Sequence, residues 1–249
     1  MKMDVNSNGY TFGFAAVLVI VVAALLSFTA TSLQERQEEN VAQEKKQNIL
    51  ESIGKKVERM AAAAAYEQII KEEVVVINGT AAKGAGVSAF DVNMADEIKK
   101  PVNERQFPLF IAEFEGNRSY IIPLRGKGLW GPIWGYIALK EDLNTVIGAT
   151  FGHKSETPGL GAEISTPIFQ DQFPGLEIME GKQFVSIEVR KGDASGTHQV
   201  DGISGGTITS VGVDAMLKDC LQGYQVFFDN EMRAAQMAFT SSKASETSY

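Results

Sequence analysis

Ten residues towards the C-terminal end, Asp201-Gly-Ile-Ser-Gly-Gly-Thr-Ile-Thr-Ser210, form the arrangement best suited to chemistry. Gly205 and Gly206 permit positive φ angles and a close backbone approach. The hydroxyls of Thr207, Thr209 and Ser210 follow at once, with Ser204 just before. An apolar helical pattern opens at Val211, which makes Ser210 its expected N-cap. Unpaired N–H groups at a helix start attract phosphate, and a glycine turn extends that donor array. The run lacks the lysine of a Walker loop and the spacing of a dinucleotide fingerprint. Its residues alone leave two readings open, a turn into a capped helix or a phosphate-binding turn.

Two further segments have ligand-binding features. Arg125-Gly-Lys-Gly-Leu-Trp-Gly-Pro132, followed by Trp134, holds both tryptophans of the chain beside three glycines. Glycines clear side chains from a surface that a flat ring can approach, and an indole packs well on such a ring. A tight loop around a core tryptophan is the alternative. His153-Lys-Ser-Glu-Thr-Pro-Gly-Leu-Gly-Ala162 follows an apolar strand, and its Thr-Pro-Gly is a turn signal that exposes Leu160. An ordinary loop is the plainer reading.

Composition removes other chemistries. The 249-residue chain carries a formal charge of −8 and no Lys/Arg-rich run, so nucleic acid is not expected as a partner. The lone Cys220 rules out an internal disulfide framework and an iron–sulfur cluster held by this chain alone. It falls in an apolar helical pattern and reads as a small core hydrophobe. His153 and His198 lack ligand spacing around them, so no metal site is expected.

The elements that must position these segments are legible in outline. After an N-terminal tail over 1–10, residues 11–33 contain no charge and are long enough to cross a bilayer core as a helix. A retained anchor is favoured over a signal peptide, whose apolar stretch is usually shorter, although Ala30-Thr-Ser32 offers a small-residue cleavage site. Residues 34–73 are rich in Gln, Glu, Lys and Ala and read as a helical stalk interrupted only by Gly54. Ile49, Ile53, Val57, Met60 and Ala64 mark one face of it, packed on the domain. Residues 74–240 form that domain. Its strands are expected at 74–77, 109–114, 120–124, 133–139, 145–151 and 184–189, with a hairpin around Glu-Gly-Asn-Arg. A final helix over 211–221 ends in a glycine cap at Gly223, and 241–249 is a flexible tail. The fold class is α+β: a single transmembrane helix, a helical stalk and a mixed or antiparallel-sheet domain.

The three loop segments, in this order behind one N-terminal span, resemble the C subunits of Na⁺-translocating NADH:quinone reductases over essentially the whole chain. The G subunits of the Rnf electron-transport complex have a similar plan. The most specific element is a flavinylation motif, approximately Asp-Gly-x-Ser/Thr-Gly-Ala-Thr, whose last threonine is esterified to the phosphate of FMN. Asp201, Gly202, Ser204, Gly205 and Thr207 match it, while Gly206 stands where alanine is usual. The resemblance therefore implies an FMN-binding domain with covalent FMN on Thr207, beside Ser204, Gly205 and Gly206, and with Thr209 as the fallback acceptor. It also implies that Gly126, Gly128, Leu129 and Trp130, then Glu156, Thr157, Gly159 and Leu160, line the flavin. Attachment by a separate flavin transferase acting on FAD, and assembly with other membrane subunits of the reductase, are further implications.

The resemblance places the protein in the bacterial inner membrane with its soluble domain on the periplasmic side. The Lys/Arg count, with Lys2 before the span and Arg36, Lys45 and Lys46 after it, points mildly the other way. Long hydrophilic domains translocate largely regardless of charge, so the resemblance is followed. The function expected is a one-electron relay without a substrate pocket of its own, since the cofactor carries the chemistry. A span without an ionisable residue forms no ion path by itself, so ion coupling would belong to other subunits. The competing functions are the Rnf G subunit with ferredoxin upstream, a membrane-anchored scaffold whose Ser-Gly-Gly-Thr turn is structural, and an extracytoplasmic reductase.

Overall fold

The uncharged N-terminal run passes into the Gln/Glu/Lys-rich one with no proline to stop a helix. In the computed structural model, which describes residues 7–82 and 88–246, both form a single helix α1, Asn8–Ser52. It is long and apolar enough to cross a membrane, with a mean hydropathy of 2.6 in its most apolar window. The expected tail over 1–10 is thus helical from Asn8, and residues 1–6 lie outside the described residues. The chain divides into two units, Met1–Lys45 and Lys46–Tyr249.

The helical stalk expected over 34–73 ends early. Gly54 adopts φ 80°, its N–H donates to Glu51 O at 2.8 Å, and Lys55 N–H donates to Leu50 O at 3.0 Å. This is the Schellman stop that a glycine just past a helix end provides. Ile49, Leu50 and Ile53 are buried and Val57, past the break, packs partly buried against the same core, but Met60 is 97% exposed and Ala64 is also exposed, so the expected five-residue face ends at Val57. A short helix α2, Ala62–Ile69, leads directly into strand β1, Ile70–Ile77. Residues 70–73 are therefore strand.

Strand β2 is Thr80–Ala82, and a single turn α3, Met94–Glu97, precedes β3, Phe107–Phe114. Then follow β4, Asn117–Lys127, β5, Pro132–Lys140, and β6, Val146–His153. These six strands make one antiparallel sheet in the order β2-β1-β3-β4-β5-β6. Two of its hairpins close with positive φ at both turn residues, Asn78 (48°) with Gly79 (71°) and Glu115 (52°) with Gly116 (79°). That is the primed geometry that matches strand twist.

Alternation along the strands gives the sheet two apolar faces. Val75, Phe110, Ile121 and Tyr136 face Ile49, Leu50 and Ile53 of the last turns of α1 together with Tyr66 and Ile69 of α2. Val74, Leu109, Ile122 and Ile137 face the other core, which the second half of the chain supplies. There α4, Pro167–Gln170, packs Phe169 against Phe151, with ring centroids 5.5 Å apart. The strand expected over 184–189 is split. Strand β7, Met179–Glu180, pairs with β8, Gln183–Phe184, while β9, Glu188–Arg190, pairs in parallel with β10, Gln199–Asp201. Ser186 at φ 64° makes the break.

Helix α5, Thr207–Gln222, is followed by α6, Gln225–Glu246. Gly223 is not a left-handed cap: its φ is −64°. It is glycine because the Phe107 ring lies where a Cβ would stand. Most of the expected flexible tail belongs to α6, and residues 247–249 lie outside the described residues.

Candidate functional site

The turn between β10 and α5 is tied by its own backbone and one serine. Gly206 N–H donates to Ile203 O at 2.9 Å, and Gly205 takes φ 75°. Ser210 Oγ accepts Ile203 N–H at 2.9 Å and donates to Gly206 O at 3.0 Å. Ser210 is not the N-cap that the sequence suggests. It lies inside the helix, which starts four residues before Val211 with Gly206 as its N-cap. Its hydroxyl nevertheless fastens the incoming turn. The N-cap, Gly206, makes no side-chain cap hydrogen bond, so it leaves the first-turn N–H groups of α5 without a cap.

The two threonines differ sharply. Thr207 is exposed at the first helical position, and its hydroxyl makes no hydrogen bond to another described residue. Thr209 is 1% exposed and its Oγ1 donates to Glu156 Oε2 at 2.7 Å.

Glu156 joins all three segments. It is 4% exposed, and its other oxygen, Oε1, accepts Trp130 N–H at 2.9 Å. Its own N–H donates to His153 Nδ1 at 3.2 Å, which fixes that nitrogen as an acceptor. Two glycines make room for the carboxylate. A Cβ on Gly128 would meet Oε1, and one on Gly161 would meet both Oε2 and the Thr209 hydroxyl. A buried carboxylate with a donor on each oxygen is a strong geometric constraint.

Around Thr207 the surface is apolar. Leu160 is 41% exposed, held by Leu160 N–H donating to Thr157 O at 3.1 Å, with Gly159 at φ 74°. Its Cδ2 lies against the Cα of Gly205, where a Cβ would come within 2.7 Å. Leu129 and Trp130 are 45% and 66% exposed, so Trp130 is a surface indole and not a core one. Of the expected residues, Gly128, Leu129, Trp130, Glu156, Thr157, Gly159 and Leu160 therefore belong to loops joined to the turn over 204–207 through Glu156 and Leu160. Gly126 lies apart from them, pressed against Met216.

Sequence reasoning passes over Ile208 and Val211, which are 58% and 60% exposed on the outward side of α5. Their signal is present: they are apolar, three residues apart, and off the buried stripe of Thr209, Val213, Met216 and Cys220. It also passes over Gly212, where a Cβ would strike the carbonyl of Lys127. Cys220 is buried as expected, and burial pushes its thiol up to about 11.

Residues 128–222 match the family model of the FMN-binding domain. The C subunit of the Na(+)-translocating NADH-quinone reductase from Pseudomonas aeruginosa is 31% identical, over 90% of this chain and 96% of that protein. The chain belongs to this C-subunit family. The Haemophilus ducreyi member is 29% identical over 87% of this chain and 91% of its own. Among solved structures, the C subunit from Parabacteroides distasonis is 43% identical with a TM-score of 0.72, over 79% of this chain and 96% of that one. The Shewanella oneidensis NqrC shares the fold at 23% identity, with a TM-score of 0.66 over 77% of this chain and 98% of that one. The loops joined by Glu156 thus lie within the stretch that matches the FMN-binding domain.

Proposed function

We propose that Thr207 carries FMN through a phosphoester and that this domain relays electrons within a Na⁺-translocating NADH:quinone reductase. The observation that carries the reading is the contrast between the two candidate acceptors: the Thr207 hydroxyl is exposed and makes no hydrogen bond to another described residue, while the Thr209 hydroxyl is buried on Glu156. The uncapped start of α5 and the φ 75° turn at Gly205 suit a phosphoryl group. In attachment from FAD, Thr207 Oγ1 replaces AMP at the FMN phosphorus and the hydroxyl proton leaves with AMP; a separate flavin transferase catalyses this. FMN held there supplies one- and two-electron exchange. Exposed Leu129, Trp130, Leu160 and Ile208 provide an apolar surface for the ring, which disfavours its charged states.

Helix α1 anchors the protein in the inner membrane, and the domain faces the periplasm. The charge-free stretch within α1 supports the anchor. Mass mapping of the tryptic peptide over 192–218 tests modification and cofactor together, with FMN mass on Thr207 expected. An unmodified peptide from cells expressing the whole reductase would overturn the reading in favour of a structural turn on a scaffold protein. Carbonate washing of membranes tests the anchor, and release of the chain into the supernatant would refute it. Protease digestion of intact spheroplasts tests the side, with cleavage of the domain expected.

A further inference from the structure

The end of the sheet away from the three loops holds a cavity of about 530 Å³, within the size range of small-molecule sites. It lies between the β3–β4 hairpin, the β5–β6 turn and Ile53, just past the end of α1. Ile53, Phe114 and Ile147 supply its apolar walls, and all three belong to the core between the sheet and the helices. Gly128, in the loops around Glu156, is about 30 Å further along β4 than Ser119, which lines the cavity. The site is therefore independent of the flavin reading.

Ser119 is the unusual residue of the lining. Strand alternation puts its side chain on the face of Ile121, with Ala112 and Ala138 also on that face, and hence towards the cavity walls. It is 2% exposed, and its hydroxyl makes no hydrogen bond to another described residue. A hydroxyl taken out of water without a partner is a cost that a bound molecule can recover. Arg118, the next residue back, does not supply the partner. It points to the other face, where its guanidinium carbon is 5.6 Å from the centroid of the Tyr120 ring and its Nη2 is 3.6 Å from Glu72 Oε1.

Charge around the cavity is mixed. Lys140 is the cross-strand partner of Ser119 and shares its face. Glu115, Glu141 and Asp142 stand at the two turns, with the Asp142 carboxylate already taken by the N–H groups of Asn144 and Thr145 and by the Thr145 hydroxyl. Lys55 Nζ lies 5.3 Å from the centroid of the Phe114 ring, so the protein provides its own cation there. Neither sign dominates, which selects against an ionic ligand.

We infer that this cavity binds a small, neutral, apolar molecule bearing one hydroxyl or carbonyl, with its polar atom on Ser119 Oγ and its apolar body against Ile53, Phe114 and Ile147.

Full-length protein in lipid nanodiscs, with ¹³C-labelled isoleucine methyls, tests the site by titration at neutral pH with p-cresol, toluene and 4-methylbenzoate. Saturable shifts of the Ile53 and Ile147 methyls by p-cresol are expected, with the exposed Ile168 as the unshifted reference. Toluene, which lacks only the hydroxyl, should bind about tenfold more weakly, and 4-methylbenzoate more weakly still. Ser119→Ala should weaken p-cresol about tenfold and leave toluene unchanged, while Ile147→Trp fills the cavity and abolishes the shift at Ile53. Thermal melting checks that the variants are folded, and the comparison of p-cresol with toluene on the unaltered protein decides the matter if they are not. Absence of saturable shifts, equal affinity for toluene and p-cresol, undiminished p-cresol affinity in folded Ser119→Ala, or 4-methylbenzoate binding as tight as p-cresol would each overturn the assignment.

Discussion

Thr207 and Thr209 differ only in what surrounds their hydroxyls, and that difference underlies the proposal that one carries the flavin and the other supports the turn. Replacing Thr207 with valine removes no hydrogen bond to a described residue, so stability should change by no more than about 0.5 kcal/mol while covalent flavin is lost. Thr209→Val strips a donor from the buried Glu156 carboxylate and should cost about 1–3 kcal/mol while leaving flavin attached. Urea unfolding and intact mass on the two variants check both halves, and the reverse pattern would move the acceptor to Thr209. The motif around Thr207 is visible in the sequence, but the burial of Thr209 is not, because Glu156 lies 53 residues away. Gly206 also reads differently in three dimensions. Against the usual alanine, glycine suggests a looser turn, yet Ile203 packs over it so closely that a Cβ would stand 3.0 Å from the Ile203 Cβ.

Helix α5 shows what an element needs beyond its apolar stripe. Its backbone rides on β4 at Gly212, where a Cβ would overlap the Lys127 carbonyl. Gly212→Ala gains helix propensity of about 1 kcal/mol but forces the helix off the strand, and a net loss of about 1–3 kcal/mol is expected. Denaturant midpoints measure this, and a stabilised variant would show that the contact yields. The central strands and their hairpin are legible because Val, Ile, Phe and Leu alternate between turn residues. Helix α6 is not, because its buried anchors, Phe227 and Phe228, lie at one end, and apolar residues further along it such as Met237 are exposed. The stalk reads too long in the sequence because Gly54 resembles a tolerated helical glycine until its φ of 80° is seen.

At the scale of the molecule, the Cys220 thiol couples the core to pH. Burial raises it from the ordinary thiol value near 9 to about 11. The folded state then keeps its proton longer than the unfolded one, so its stability is full below pH 9 and falls between pH 9 and 11. The loss is roughly 2–3 kcal/mol for a two-unit shift, and Cys220→Ala should flatten that limb of a melting curve taken across pH. Three segments far apart in the chain also meet at Glu156, and one of its donors is the backbone of a residue whose indole is 66% exposed. Exposure of the ring therefore says nothing about the amide beneath it. Trp130 N–H should exchange with deuterium only when the Glu156 knot opens, among the slowest amides of an otherwise fast-exchanging loop. Its rate then reads how often the three segments part company, from a peptide bond that is held while its own side chain stands in solvent.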